Sequence, residues 1–162
     1  MKSVGADMTA KNKKTIHMLL LVGIIITGYI TWLLLRPVEI IAVHGRGEFS
    51  DILVKSFPIT DRGKIKWWLE NTPMLQDKYR VPNPAKDGFF SVTFWAFGEG
   101  YKETDGYDRL CFEDKQPPLN CIEKDALFTV DKSPNLGTVF TVYNGGYYRL
   151  DDNGNIVEIK RK

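Results

Sequence analysis

TIHMLLLVGIIITGYITWLLL, residues Thr15 to Leu35, decides how the rest of this chain is read. No residue in it carries a permanent charge, and His17, near one end, is the one ionisable group that matters at neutral pH. As a helix rising 1.5 Å per residue the segment spans ~31 Å, which matches the ~30 Å hydrocarbon core of a bilayer. A buried helix of a soluble protein usually keeps a polar stripe, and this segment has none. The chain therefore divides into a tail (1–14), a membrane-spanning helix (15–35) with the lipid bilayer as its first partner, and a folded domain (37–162).

The flanking charges give the helix a direction. Lys2, Lys11, Lys13 and Lys14 precede it against a single acid, Asp7, whereas Arg36 stands alone at the far end and Glu39 follows soon after. The lysine excess marks the cytoplasmic side, and Tyr29 and Trp32 lie where amphipathic rings favour the outer headgroup layer. A cleaved secretory signal also starts with positive charge and an apolar run. The run here is too long for a signal core, and LLLRPVEIIAV offers bulky residues and Arg36-Pro37 where small-x-small should stand. No cysteine follows the run until Cys111, which opposes a lipoprotein. The helix is expected to persist as an anchor.

Of the 22 Lys and Arg in the chain, five (Lys2, Lys11, Lys13, Lys14, Arg36) precede residue 37, and of the 20 Asp and Glu only Asp7 does. The domain thus holds 17 basic and 19 acidic side chains and is near neutral. Without a basic stripe it lacks the footprint of a nucleic-acid binder. Its length suits one domain with one core.

Cys111 and Cys121 both fall in this domain. In an exported domain such a pair most simply forms one disulfide, and closing so short a loop stabilises by about 3 kcal/mol on the loop-entropy model. A metal site needs two more ligands, and His44 is the domain's one histidine. The pair is not Cys-x-x-Cys, which disfavours redox catalysis.

Along the domain, Val38–Val43 and Asp51–Phe57 read as neighbouring strands separated by HGRGEFS, a turn composition. In the following stretch Thr60 or Asp61 can cap a helix in which Ile65, Trp68 and Leu69 recur at i, i+3 and i+4. Pro73 is expected to break or kink it, and Pro82 and Pro84 to end it. Every later apolar run is strand-like: Phe89–Phe97, Tyr107–Phe112, Ala126–Val130, Thr138–Tyr143, Tyr147–Leu150 and Ile156–Ile159. The links between them have turn compositions, as in an antiparallel meander. The expected fold class is α+β: the transmembrane helix, then a small antiparallel β-sheet domain with one main helix packed on it.

Few residues suggest chemistry. The acid-rich stretch GEGYKETDGYDRLCFED carries Glu99, Glu103, Asp105, Asp108, Glu113 and Asp114, but it lacks the series of a calcium loop, and Lys102 and Arg109 interrupt it as in a solvated loop. DDNGN (Asp151–Asn155) reads as a hairpin turn through Asn153-Gly154 rather than a metal loop. No nucleophile elbow, phosphate-binding glycine loop or His-Glu-x-x-His occurs, and a lone His44 without a nucleophile reads as incidental. Neither a cofactor nor a metal is implied, and an enzyme is not expected. Aromatic residues crowd the middle of the domain. Adjacent Trp67 and Trp68 cannot face the same way from a helix, so Trp67 is expected outside. Trp67, Tyr101 and Tyr107 are the candidate partner-binding residues.

TDRGKIKWWLENTPMLQDKY (Thr60–Tyr79), GYKETDGYDRLCFEDK (Gly100–Lys115) and NCIEK (Asn120–Lys124) resemble the corresponding segments of an enterobacterial family of small, single-span inner-membrane proteins of unknown function. The resemblance runs from the anchor to the C-terminus and implies a Gram-negative envelope, so the far side of the membrane becomes the periplasm. No catalytic or binding residues are carried over from it. The expected function is a non-enzymatic periplasmic module, held by a single inner-membrane span with its N-terminus cytoplasmic, that binds a protein partner in the periplasm or inner membrane. An immunity or inhibitor protein is its most concrete version. The alternative is a sensor or accessory subunit of a larger envelope complex, suggested by the small residues Gly23, Thr27, Gly28 and Thr31. A hydrolase using Glu99, Glu103, Asp105 or Asp108 is a third reading.

Overall fold

The computed structural model describes residues 5–34 and 36–160, with side chains from residue 12 onward in the first helix and not at Leu34. The chain forms two compact units, residues 1–36 and 37–162. In the first, α1 runs from Gly5 to Leu34, so the helix already includes residues 5–14 ahead of the apolar segment. Asn12–Leu33 is long and apolar enough to cross a membrane, and none of it is buried within the protein. Leu35, Lys2 and the Lys11 side chain lie outside the described residues. Thr27 and Thr31 donate their hydroxyls to the carbonyls of Gly23 and Thr27, each at 2.8 Å, as threonines do in apolar helices. The Arg36 guanidinium lies 3.9 Å from the centre of the Trp32 ring.

The second unit is an α+β domain built on one seven-stranded sheet. Strands β1 (Glu39–Arg46) and β2 (Phe49–Lys55) form a hairpin. They run further into HGRGEFS than expected, because Gly47 takes φ +62° and turns the chain in two residues. Helix α2 (Asp61–Tyr79) then carries the chain across the sheet to β3 (Phe90–Ala96), which pairs with β2 in parallel. The meander expectation missed this pair. A strand that returns through a helix re-enters the sheet in the direction it left, whereas tight hairpins reverse it. All other pairings in the sheet are antiparallel: β3 with β6 (Ala126–Ser133), then β7 (Gly137–Val142), β8 (Tyr147–Leu150) and β9 (Ile156–Ile159). The three-residue strands β4 (Arg109–Cys111) and β5 (Cys121–Glu123) form a separate hairpin, and β5 was too short to show in the sequence.

Thr60 caps α2 by accepting the Gly63 amide, and Arg80 closes it in the left-handed conformation. Contrary to expectation, α2 continues through Pro73. A proline in a helix interior costs ~3 kcal/mol through its missing donor and its ring. Packing outweighs that loss: Ile65, Trp68 and Leu75 lie on one stripe and are at most 4% exposed, so the turn after Pro73 is held by the core. Asn71 and Thr72 also bond the carbonyls of Trp67 and Trp68, at 2.8 and 2.6 Å.

Alternate residues of the strands build two cores. Ile52, Val54, Val92, Phe94, Phe128, Val130, Phe140 and Val142 face α2 and form the main one. Phe94 and Phe128 are direct cross-strand partners, and the rings of Phe128 and Phe140 stack at 6.1 Å. On the opposite face, Leu53, Phe112 and Ile122 form a smaller core where the β4–β5 hairpin covers β1 to β3. The hairpin is closed by the disulfide Cys111–Cys121, whose residues are cross-strand partners.

Candidate functional site

Helix α2 covers only part of its face of the sheet, and an apolar cleft of about 580 Å³ remains beside it. Trp68, Leu69 and Pro73 form its helical wall, Phe90, Phe140 and Leu150 line its floor, and Lys132 is the one charged residue on its lining. The sequence dictates this shape locally. Leu69 sits one residue off the buried stripe and is 40% exposed, and Pro73 presents a ring where an ordinary residue would present a longer side chain. A concave surface of this volume with few polar groups is the usual character of a ligand or side-chain pocket.

The candidate partner-binding residues do not come together. Trp68 is 4% exposed, and Trp67, although less buried, packs edge-on to Phe57 and Phe94 at 5.5 and 5.7 Å rather than facing out. The apolar face of α2 is wide enough to engage both rings, because Phe57, just past β2, rises beside the helix. Tyr107 is 74% exposed in the loop before β4. Tyr101 is half-buried on the other face of the sheet, in a network that sequence spacing did not reveal.

His44, read from the sequence as incidental, is the centre of that network. It is 8% exposed and stacks on Phe112 with ring centres 3.8 Å apart. Its Nδ1 lies 2.8 Å from Asp114 Oδ1, and its Nε2 lies 2.9 Å from the Tyr101 hydroxyl. With the proton on Nδ1, the ring donates to Asp114 and accepts from Tyr101, which satisfies both nitrogens. Burial, and then the Asp114 charge, hold the Tyr101 phenol above its ordinary pKa. The Lys115 ammonium lies 4.2 Å from the Tyr101 ring centre. The arrangement outlines an Asp-His-hydroxyl relay, but nucleophilic work needs a lowered or base-activated pKa, and here the phenol moves the other way. The three residues come from β1, the loop before β4 and the loop after it, so the network clasps the disulfide hairpin to the sheet. Residues 44, 101 and 114 are too far apart in the chain for spacing to signal them.

Three acids of the acid-rich stretch are paired with cations. Glu99 meets Lys102 at 2.7 Å and Asp105 meets Arg109 at 2.9 Å, while Asp108 pairs with Lys124. The Glu99 carboxyl is held below its usual pKa, first by the hydrogen bond from Lys102. Lys102 also reaches Glu123 at 3.0 Å. Arg109, 10% exposed, binds the Glu103 carbonyl as well, and its Nε lies 3.4 Å from Glu123 Oε1, too long for a full hydrogen bond. Paired acid–base chemistry requires two carboxyls free to face one substrate, whereas Glu99, Asp105 and Asp108 each face a cation instead. Asp151 is similarly occupied: the Asn155 side-chain amide at 3.0 Å, and then the backbone amides of Asn155 and Asn153 at 2.7 and 2.9 Å, pull its pKa down. Among the described residues no group of three His, Cys, Asp or Glu could hold a metal.

A second tie positions the helix that walls the cleft. Tyr148 donates to Asp61 Oδ2 at 2.7 Å, and the Gly146 amide reaches the same oxygen at 3.3 Å. The first turn of α2 is thereby anchored to the β7–β8 hairpin.

The family model of enterobacterial putative membrane proteins, DUF943, matches residues 9–160, from α1 through β9. The chain belongs to this family. Comparison with curated proteins and with solved structures finds no match. Family membership agrees with a helix in α1 that is long and apolar enough to cross a membrane, and the family's function is unknown.

Proposed function

We propose that this member of the family is a single-pass inner-membrane protein, cytoplasmic at its N-terminus, whose periplasmic domain binds a partner protein without catalysing a reaction. The cleft beside α2 carries this reading. Its lining suits an apolar side-chain cluster, and Lys132 favours a partner that sets a carboxylate beside that cluster. The disulfide supports an oxidising far side. An immunity or inhibitor protein is the concrete form, in which the cleft seizes a toxin that acts at the inner membrane. Because the domain begins directly after the anchor, such a partner must come to the membrane.

The test places a photoreactive residue at Leu69 in the full chain in its native membrane. The expected result is one dominant protein adduct, weakened by Lys132→Glu and absent when the label is moved to exposed Glu113. Equal labelling from both positions would count against the cleft. An alkaline phosphatase fused after residue 160 is active only if the domain is periplasmic, and an inactive fusion would overturn the orientation.

An accessory-subunit role has its own supporting feature. Gly23 and Gly28 leave open surface on α1, with nothing within 4 Å of an added Cβ, although the hydroxyls of Thr27 and Thr31 are spent on their own helix. Replacing residues 12–33 with an unrelated span separates the two roles: binding through the cleft survives the exchange, and an accessory function through α1 does not.

A further inference from the structure

The β4–β5 hairpin covers the back of the sheet only over β1 to β3. Over β6 to β9 no described element packs on that face. Val139, Thr141, Tyr147, Val157 and Ile159 point outward there by strand alternation, and Leu136, 75% exposed, stands at its margin. All of these but Val157 line a hollow of about 300 Å³. An apolar sheet face of this kind, left to water, needs a cover.

The charges on this face select the cover. Asp131 on β6 is the cross-strand partner of Val139 on β7. The β7–β8 register, Thr141 with Tyr147, continues to place Arg149 on the other side of Val139, and both charged residues line the hollow. With strands ~4.8 Å apart, an acid and a base thus flank Val139 at about one strand spacing each. Neither has an ion-pair or hydrogen-bond partner among the described residues. A two-fold axis lying above the face and parallel to β7 carries Asp131 of one copy onto Arg149 of the other, and the reverse, forming two ion pairs around a shared apolar strip. An axis across the strands would set acid on acid and base on base. The face is therefore complementary to itself in one arrangement, as an isologous two-fold contact requires. We infer that the uncovered face of β6–β9 is a self-association surface, on which two copies of this chain pair with Asp131 of each opposite Arg149 of the other. The surface lies on the opposite side of the sheet from the cleft, so one chain can use both. Co-insertion in one membrane confines both copies and favours a contact that free domains would make weakly.

The axis runs above β7, so a thiol at residue 141 meets its own copy. The test uses the full chain in membranes, with Thr141→Cys treated with a short bis-maleimide and Lys66→Cys, exposed on α2, as control. Val139→Cys serves as a second reporter. Dimer is expected from residues 139 and 141 and not from 66. Asp131→Arg or Arg149→Asp should each lower the yield about fivefold, the scale of ion pairs replaced by like-charge contacts. The double reversal should restore it. Dimer no greater than from residue 66, single reversals without effect, or a double reversal that fails to restore would each overturn the proposal. Adducts to a different protein in place of dimer would overturn it in favour of a foreign partner. Resistance of the domain to trypsin in each variant separates loss of contact from loss of fold. These readouts are independent of the photo-adduct at Leu69, so either proposal can fail alone.

Discussion

Replacing His44 by alanine tests whether the network around it is a structural clasp, and its cost can be worked from its parts. The hydrogen bond from Tyr101 contributes about 1 kcal/mol, as a typical half-buried bond does. The bond to Asp114 would be worth more in isolation, but that carboxylate is 51% exposed, so water screens it and about 1 kcal/mol remains. Stacking on Phe112 adds about 1 kcal/mol more. The sum is about 3 kcal/mol. A domain of about 125 residues unfolds with an entropy of ~0.26 kcal/mol/K near 60 °C, so His44→Ala should lower the melting temperature by about 11 °C. Scanning calorimetry of the oxidised 37–162 fragment reads this directly. Tyr101→Phe and Asp114→Asn should each cost about a third as much, and the double variant should fall short of additivity because both act through one ring. A loss below about 4 °C for His44→Ala, equivalent to ~1 kcal/mol, would refute the clasp.

Leu75→Ala should destabilise the domain by about 2–5 kcal/mol in urea unfolding followed by tryptophan fluorescence, because Leu75 is fully buried on the far side of Pro73. If α2 ended at the proline, the loss would be under ~1 kcal/mol. Gly145→Ala should cost about 1–3 kcal/mol, since its new Cβ would fall 2.8 Å from Asp61 Cγ and force the helix anchor apart; an unchanged melting temperature would show that the contact does not form. The hydrogen bond to Asp61 pushes the Tyr148 phenol up to about 12. Because the folded pKa lies above the unfolded one, the stabilisation from this bond is fully present below pH ~10 and is lost as pH rises from 10 to 12. Between those limits wild-type stability should converge on that of Tyr148→Phe, and parallel curves would refute the assignment.

The apolar run, the lysine imbalance and the two cysteines are local or compositional signals. Those signals alone yield an N-terminal helix long and apolar enough to span a membrane, the family, and a disulfide-linked α+β domain. The sequence also placed the later strands and the start of α2, because alternation and capping act within a few residues. What it could not supply were features decided by segments distant in the chain. Pro73 stays helical because Leu75 reaches a core assembled from β2, β3, β6 and β7. Trp67 turns inward because Phe57 rises beside it, and β2 pairs with β3 in parallel because α2 carries the chain back across the sheet. His44 becomes a clasp only when residues 57 and 70 positions away close on both sides of its ring. The cleft and the uncovered face are differences between what a sheet exposes and what its neighbours cover, and only the tertiary structure fixes that difference.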